Sequence, residues 1–339
     1  MQIQECYKFF RKLINGYNLK MQIKKLIFIF FIFFSNSGLV KEYVIGFGSC
    51  IDQDLPQPIW SAIEAKNIDA FMFLGDNVYG DHPSGKLDKL RKSYISQSTM
   101  LPKWLNKKKV ISIWDDHDYG INDGGSDYRN KQRSQKMFLD FWKIPKDDLR
   151  HKREGIYFSE EEIFFNKKFK FIFLDTRYFR SELKGRKGRY AKNNEPNATI
   201  LGIEQWKWFE DQLNQDFDFL MIFSSIQIIP QDHGFEKWDN FPKERDKILN
   251  MIKKYKDQTI LFSGDRHRSG IYKKDGIIEV TASSMNKPGS TFFETDNYLI
   301  GKTYPQANYS ILEIFEKSIN ISIKDASGKV LNTINLNID

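Results

Sequence analysis

Ala70-Phe71-Met72-Phe73-Leu74-Gly75-Asp76-Asn77-Val78-Tyr79 is an apolar run that stops abruptly at a glycine and a carboxylate. A short continuous apolar run bounded by a turn signal reads as a strand buried on both faces. Asp76 and Tyr79 then stand where that strand hands the chain to a loop. The same arrangement recurs on either side. Residues 43–48 lead to Ser49-Cys50, residues 110–114 to Asp115-Asp116-His117-Asp118, and residues 259–262 through Ser263-Gly264 to Asp265-Arg266-His267. Residues 169–174, ending in Asp175-Thr176-Arg177, and residues 219–223, ending in Ser224-Ser225, complete the series.

Helical spacing fills the intervals. Residues 58–66 carry Ile59, Ala62 and Ile63 behind Pro58; residues 87–105 break at Pro102; residues 129–142 stop near Pro145; residues 201–213 and 243–255 are also helical. After residue 277 the pattern turns to hairpin-like strands at 278–281, 310–315, 319–324 and 330–334. Buried strands alternating with helices predict α/β layers with an antiparallel portion at the end. With no Gly/Ser linker and no internal repeat, the expectation is one catalytic domain over residues 42–339.

The chain has 339 residues, 40% hydrophobic and 28% charged, a composition that excludes a wholly disordered or fibrous protein. Lys and Arg number 52 against 44 Asp and Glu, a net +8. Residues 1–38 hold six of the cations and only Glu5 as acid, so five of the eight net charges sit there. The mildly basic remainder gives no indication of a specific nucleic-acid partner. Lys24-Lys25, the apolar residues 26–34 and Ser35-Asn36-Ser37-Gly38 read as a signal peptide, and residues 1–20, ahead of Met21, as an upstream extension or a misassigned start. The run is too short for a bilayer core of about 30 Å, so no transmembrane span is expected after cleavage; an uncleaved signal anchor is the rival. The expected location is secreted or the secretory lumen. Cys6 would leave with the leader, so Cys50 cannot form an internal disulfide, and three sequons, at Asn197, Asn308 and Asn320, fit a glycoprotein.

In α/β sheets, ligands bind beyond the carboxyl ends of the strands. Buried acids brought together there repel unless protonated or neutralised. A multivalent cation neutralises them, two cations satisfy this many acids, and two-metal sites suit displacement at phosphorus. Each residue also has a plainer role. Cys50 alone reads as a small buried hydrophobe and Asp76 as a turn acid or helix cap. Of the adjacent Asp115 and Asp116, one faces the site and the other bonds backbone amides. His117 is either a satisfied loop histidine or a contact for phosphate and leaving group, and His267 either orients a ligand or is one. Arg177 either pairs with Asp175 or holds phosphate through its planar fork. Residues 184–189, rich in Lys and Arg, are a solvated loop or a steering patch for anions, and His233 reads as a surface histidine.

Taken in order, Gly48-Ser49-Cys50, Gly75-Asp76-Asn77-Val78-Tyr79, residues 114–123, Leu174-Asp175-Thr176-Arg177 and Ser263-Gly264-Asp265-Arg266-His267 resemble the PhoD-like (alkaline phosphatase D) branch of the metallophosphoesterases. Ile228-Ile229-Pro230, Trp238 and Pro242-Lys243-Glu244-Arg245 add to a resemblance spanning roughly residues 43–285. It implies a four-layer α/β/β/α sandwich. It implies two metal ions, Fe(III) held by Cys50 and Tyr79 and Ca²⁺ helped by Asn122 and Asp265, with Asp76 bridging; Asp116 is a further metal candidate. Thiolate and phenolate suit Fe(III), while carboxylate and amide oxygens suit Ca²⁺. His117, Arg177 and His267 are the catalytic candidates. The implied activity is hydrolysis of small phosphate mono- or diesters by metal-activated water, without a covalent phosphoenzyme. Phosphodiesterase or phospholipase-type hydrolysis on the same site and a non-catalytic phosphate-ligand-binding glycoprotein are the alternatives. Asp118 departs from the pattern, standing where Glu is common. Given the short interval before Cys50, the extra β-rich domain of bacterial members is expected to be absent.

Overall fold

Apolar runs form the strands at the heart of the fold. The computed structural model describes residues 42–338; the expected leader, with Cys6 and the apolar run, lies outside the described residues. Fifteen strands are present among them: β1 Tyr43–Gly48, β2 Ala70–Leu74, β3 Lys109–Ile113, β4 Phe158–Phe164, β5 Lys167–Phe173, β6 Lys184–Arg186, β7 Arg189–Ala191, β8 Phe219–Phe223, β9 Thr259–Ser263, β10 Ser269–Lys274, β11 Ile277–Ala282, β12 Leu299–Tyr304, β13 Asn308–Ile314, β14 Ser318–Asp325 and β15 Val330–Asn337. Six α-helices accompany them: α1 Ile59–Ala65, α2 Asp88–Met100, α3 Asp116–Tyr119, α4 Lys131–Phe141, α5 Gly202–Leu213 and α6 Pro242–Ile252. Tyr43–Asp339 forms one compact unit. No helix among the described residues is long and apolar enough to cross a membrane.

One sheet runs β15-β14-β13-β1-β2-β3 and the other β12-β10-β11-β9-β8-β5-β4. Each has a parallel portion: β1, β2 and β3 along one flank of the first, β5, β8, β9 and β11 in the middle of the second. The last three strands add to β1 as an antiparallel meander, as expected, whereas β11 lies parallel to β9.

Side chains alternate across each strand, and that alternation makes the layers. Ile45, Phe47, Met72, Leu74 and Ile113 face Phe171, Phe173, Phe223, Phe262 and Val280 in a core between the sheets. Phe223 stacks on Phe262 with ring centroids 4.6 Å apart, and Phe47 meets Phe262 edge-on at 4.9 Å. The opposite residues of the same strands pack on helices: Phe71 and Phe73 on Ile59, Trp60 and Ile63 of α1, and Ile172, Leu220 and Leu261 on Trp206, Phe209, Ile248 and Ile252 of α5 and α6. The result is an α/β/β/α sandwich.

Elements that the pattern hides are those rich in charge or glycine. β4 carries Glu160-Glu161-Glu162; Glu161 reaches the buried Lys170 of β5 at 2.8 Å and Glu160 reaches Lys109 at 2.5 Å. The basic stretch is not a loop but the hairpin β6–β7. Of the three sequons, Asn197 is exposed, but Asn308 is fully buried and donates to the Ser283 carbonyl at 2.9 Å, so it is closed to glycosylation in the folded chain.

Candidate active site

The parallel strands β1, β2 and β3 of one sheet and β9 of the other end on the same side, where the site forms. Cys50, Asp76, Asp116 and Asp265 are the residues just past these strands. Cys50, Asp76, Asp265 and His267 have φ of +59°, +52°, +64° and +52°. Non-glycine residues rarely adopt such angles, and they concentrate where a surrounding structure enforces them for function. Here the enforcement is visible. The Cys50 and Ile51 amides donate to the Gly75 and Asp76 carbonyls at 3.3 and 2.9 Å, knitting two strand ends together. The Asp118 carboxylate accepts from the Asn77 amide at 3.1 Å and the Asp115 amide at 3.0 Å, tying the β2 loop to the start of α3. Asp118 is therefore a backbone clamp, a task a carboxylate at this position performs without reaching the cavity.

Three overlapping groups of donors converge, each with its ligand atoms within 4.8 Å: Cys50, Asp76 and His267; Asp76, Asp116 and His117; Asp115, Asp116 and Asp265. Tyr79 joins them, donating to Asp76 Oδ2 at 3.2 Å with its hydroxyl 3.1 Å from His267 Nε2. Cys50 Sγ lies 3.3 Å from Asp76 Oδ2 and 3.1 Å from Ser283 Oγ. Burial pushes the Cys50 thiol up to about 11, with Asp265 adding to it. Burial also pushes Asp76 well above the usual carboxylate range, reinforced by Cys50 and Asp116, and Asp265 likewise, reinforced by Asp115 and Asp116. Asp76 Oδ1, Asp115 Oδ2 and Asp116 Oδ1 are buried with no hydrogen-bond partner. Buried polar atoms are satisfied almost without exception, and a cluster of orphaned carboxylate oxygens beside a thiol and a phenol is the donor set a pair of cations requires. The residues fit the implied metals.

His117 stands at this cluster with Nδ1 2.6 Å from Asp81 Oδ1 and Nε2 4.0 Å from Asp116 Oδ1. Burial opposes its charge, but Asp116 and Asp81 outweigh that and hold its pKa up. His267 is driven the other way, down to about 4, by burial and then by His117 and Arg266. Asn122 lines the same cavity, but its amide oxygen accepts from Lys187 Nζ of the β6–β7 hairpin at 2.7 Å. Lys187 must move aside before that oxygen can meet a cation.

Arg177 is a correction. It is fully buried, with Nε donating to Asp115 Oδ1 at 2.5 Å and Nη1 to Glu236 Oε2 at 2.5 Å. Nε and Nη1 are engaged by two carboxylates, Nη2 is buried without a partner, and the side chain does not line the cavity, so it does not present itself to a phosphate; nor is Asp175 its side-chain partner. His233 is half-buried rather than a free surface histidine: its Nε2 lies 2.9 Å from Gln227 Oε1, and burial holds its pKa well below the ordinary value. Sequence reasoning missed Asp81, Glu236 and Ser283. Asp81 lies two residues past Tyr79 in a polar loop, and Glu236 sits in a loop with no apolar run to flag it. The cavity in front of the cluster holds about 300 Å³ and is rimmed by Lys187, Phe235, Arg266, Arg268, Gly289 and Ser290. It can admit a small anion at the donor set with a cationic rim around it.

A family model described as PhoD-like phosphatase matches residues 46–298. An alkaline phosphatase D of Bacillus subtilis (strain 168) is 28% identical over 129 residues, covering 34% of this chain and 22% of that protein. The chain thus spans less than a quarter of the length of this curated relative. A solved structure of PhoD superposes with a TM-score of 0.63 at 14% identity, covering 88% of this chain and 69% of that one. GAP50, described as the anchor in the inner membrane complex of Plasmodium, gives 0.61 at 11% identity over 88% and 89%. Purple acid phosphatase PPD1 from yellow lupin (Lupinus luteus) seeds gives 0.58 at 14% identity over 88% and 54%. At these identities the structural likeness is one of fold.

Proposed function

The chain belongs to the PhoD-like phosphatase family, and from that premise we propose that it hydrolyses small phosphoric esters at the Cys50–Asp76–Asp265 cluster. The observation that carries this reading is the convergence of orphaned, buried carboxylate oxygens of Asp76, Asp115 and Asp116, from two strand ends, in donor groups shared with Cys50, Asp265 and His267. Cys50, Asp76, Tyr79 and His267 would hold one ion, with Fe(III) favoured by thiolate and phenolate; Asp76, Asp116, Asp265 and Asn122 would hold a second, with Ca²⁺ favoured by oxygen donors. Bound there, two cations supply positive charge for the phosphoryl oxygens and water activation for in-line attack.

The chain's own residues do the rest. His117, held in orientation by Asp81, which also raises its pKa, would donate a proton from Nε2 to the leaving oxygen. Lys187 exchanges its bond to Asn122 for the incoming anion. No side chain is needed as nucleophile, because Cys50 and Asp76 are committed as ligands. The apolar run of residues 26–34 with its cationic flank supports export as the route to the compartment where this chemistry takes place.

The test is metal analysis of the purified full chain, visible spectroscopy, and turnover of p-nitrophenyl phosphate against bis-p-nitrophenyl phosphate. The expected results are bound iron, a visible charge-transfer band that Tyr79→Phe shifts or abolishes, and release of nitrophenol from at least one ester. A metal-replete protein that binds phosphate but cleaves neither ester would make this a binding protein on a hydrolase fold.

A further inference from the structure

Phe292 and Phe293 are 80% and 63% exposed, on a loop whose earlier residues Gly289 and Ser290 line the mouth of the cavity. The loop is held in place from below. Arg268 Nη1 donates to the Phe292 carbonyl at 2.6 Å and Nη2 to the Ser290 carbonyl at 3.2 Å, Arg266 pairs with Glu294, and the Glu294 amide donates to Thr303 Oγ1 at 3.1 Å. Arg266 and Arg268 are themselves buried. The two rings are thus displayed by a fixed backbone rather than left over from a loose one.

The charges of the segment point the same way. Glu294 is turned inward onto Arg266 and Arg268, and Asp296 Oδ2 accepts from the Gln231 and Asp232 amides at 2.7 and 3.0 Å. Lys302, exposed on the edge strand β12, remains outward with its Nζ 5.6 Å from the Phe293 ring. We propose that residues 288–293 with Lys302 form a docking surface for an anionic lipid bilayer, with Phe292 and Phe293 entering the interface and Lys302 meeting the headgroups. Phenylalanine rings of an interfacial face enter the boundary between headgroups and acyl chains, and nearby lysines add attraction to anionic lipid. A second copy of the chain is a poorer occupant. Two phenylalanines bury about 150–250 Å² each, and the exposed residues beside them, Ser290, Thr291 and Thr295, are polar, whereas a stable dimer needs about 800 Å² per partner.

The experiment is co-sedimentation of the full chain with phosphatidylcholine vesicles containing phosphatidylserine, read against phosphatidylcholine alone. Binding requires no turnover, so its outcome is separate from that of the hydrolase reading. The wild-type chain is expected to prefer the anionic vesicles. Phe292→Ser/Phe293→Ser is expected to lower partitioning by roughly tenfold or more, and Lys302→Glu to lower it on anionic vesicles only. Because both phenylalanines are exposed, the double variant should melt with the wild type. A Phe292→Trp variant adds a reporter of insertion, expected to be quenched by brominated acyl chains beyond the wild-type level. Quenching equal to wild type, or a double variant that partitions like wild type, overturns the proposal. A double variant that loses only a concentration-dependent dimer also overturns it, in favour of a second copy.

Discussion

Arg177 places two carboxylates under one guanidinium, with Arg180 closing the network on Glu236 at 2.8 Å. Breaking one partner of a buried pair costs about 3–5 kcal/mol because the other charge is left uncompensated. Glu236→Gln and Arg177→Lys should therefore lower the urea midpoint sharply. An arginine gripping phosphate would instead raise KM with stability kept, so the two measurements separate the roles. His233 gives a second test. Its folded pKa lies well below the ordinary 6.5, from burial first and then Arg266, Lys237 and Arg268. Below 6.5 the unfolded chain takes up a proton that the folded chain refuses, so this contribution is present above that value and is lost as pH falls through the window beneath it. From about pH 8 to about pH 5, unfolding free energy should fall less steeply in His233→Gln than in the wild type. Cys50, Asp76 and Asp265 were legible in the sequence because each follows directly on a strand that announces itself by its apolar run. Arg177 was not, since its partners Asp115 and Glu236 come from far along the chain and nothing local marks them.

Among elements, the strands buried on both faces were readable almost to the residue, and the charged or glycine-bearing ones were not. β4 hides behind three glutamates that make sense only once Lys109 and Lys170 stand beside them. β10 begins Ser269-Gly270 directly after the Arg266-His267-Arg268 loop and shows little apolar run. The single turn α3 is defined by the Asp115/Asp118 capping box rather than by periodicity. The junction of β9 with its loop is a tight place in the site. A Cβ on Gly264 would stand 2.6 Å from Ser49 Oγ and 2.9 Å from the Leu74 carbonyl. Gly264→Ala should push Asp265 away from Asp116 while leaving both sheets intact. A displacement of about 1 Å can cost about a hundredfold in rate, so metal content and turnover are expected to fall together with little change in the far-ultraviolet circular dichroism.

At the scale of the whole molecule, the two sheets stack on an aromatic core while their strand ends crowd acids together on one rim. Without cations those acids oppose folding; with them they support it. Chelation should lower the thermal midpoint, and readdition of the ions should restore it, with a contribution of about 2.7 kcal/mol when free metal stands at about a hundred times Kd. An unchanged midpoint in a protein shown to have lost its ions would mean that the acids stay protonated instead. The sandwich as a class was legible because runs apolar on both faces demand cover on both sides; how the sheets face each other was not, since that depends on pairings between distant segments.

Tyr43 of β1 lies opposite Ile314 of β13, with β1 in the interior of its sheet. β1, the first of the described strands, must therefore hold one flank open until residues 308–314 have been synthesised. Throughout that wait its unsatisfied backbone is available to chaperones or to a neighbouring nascent chain.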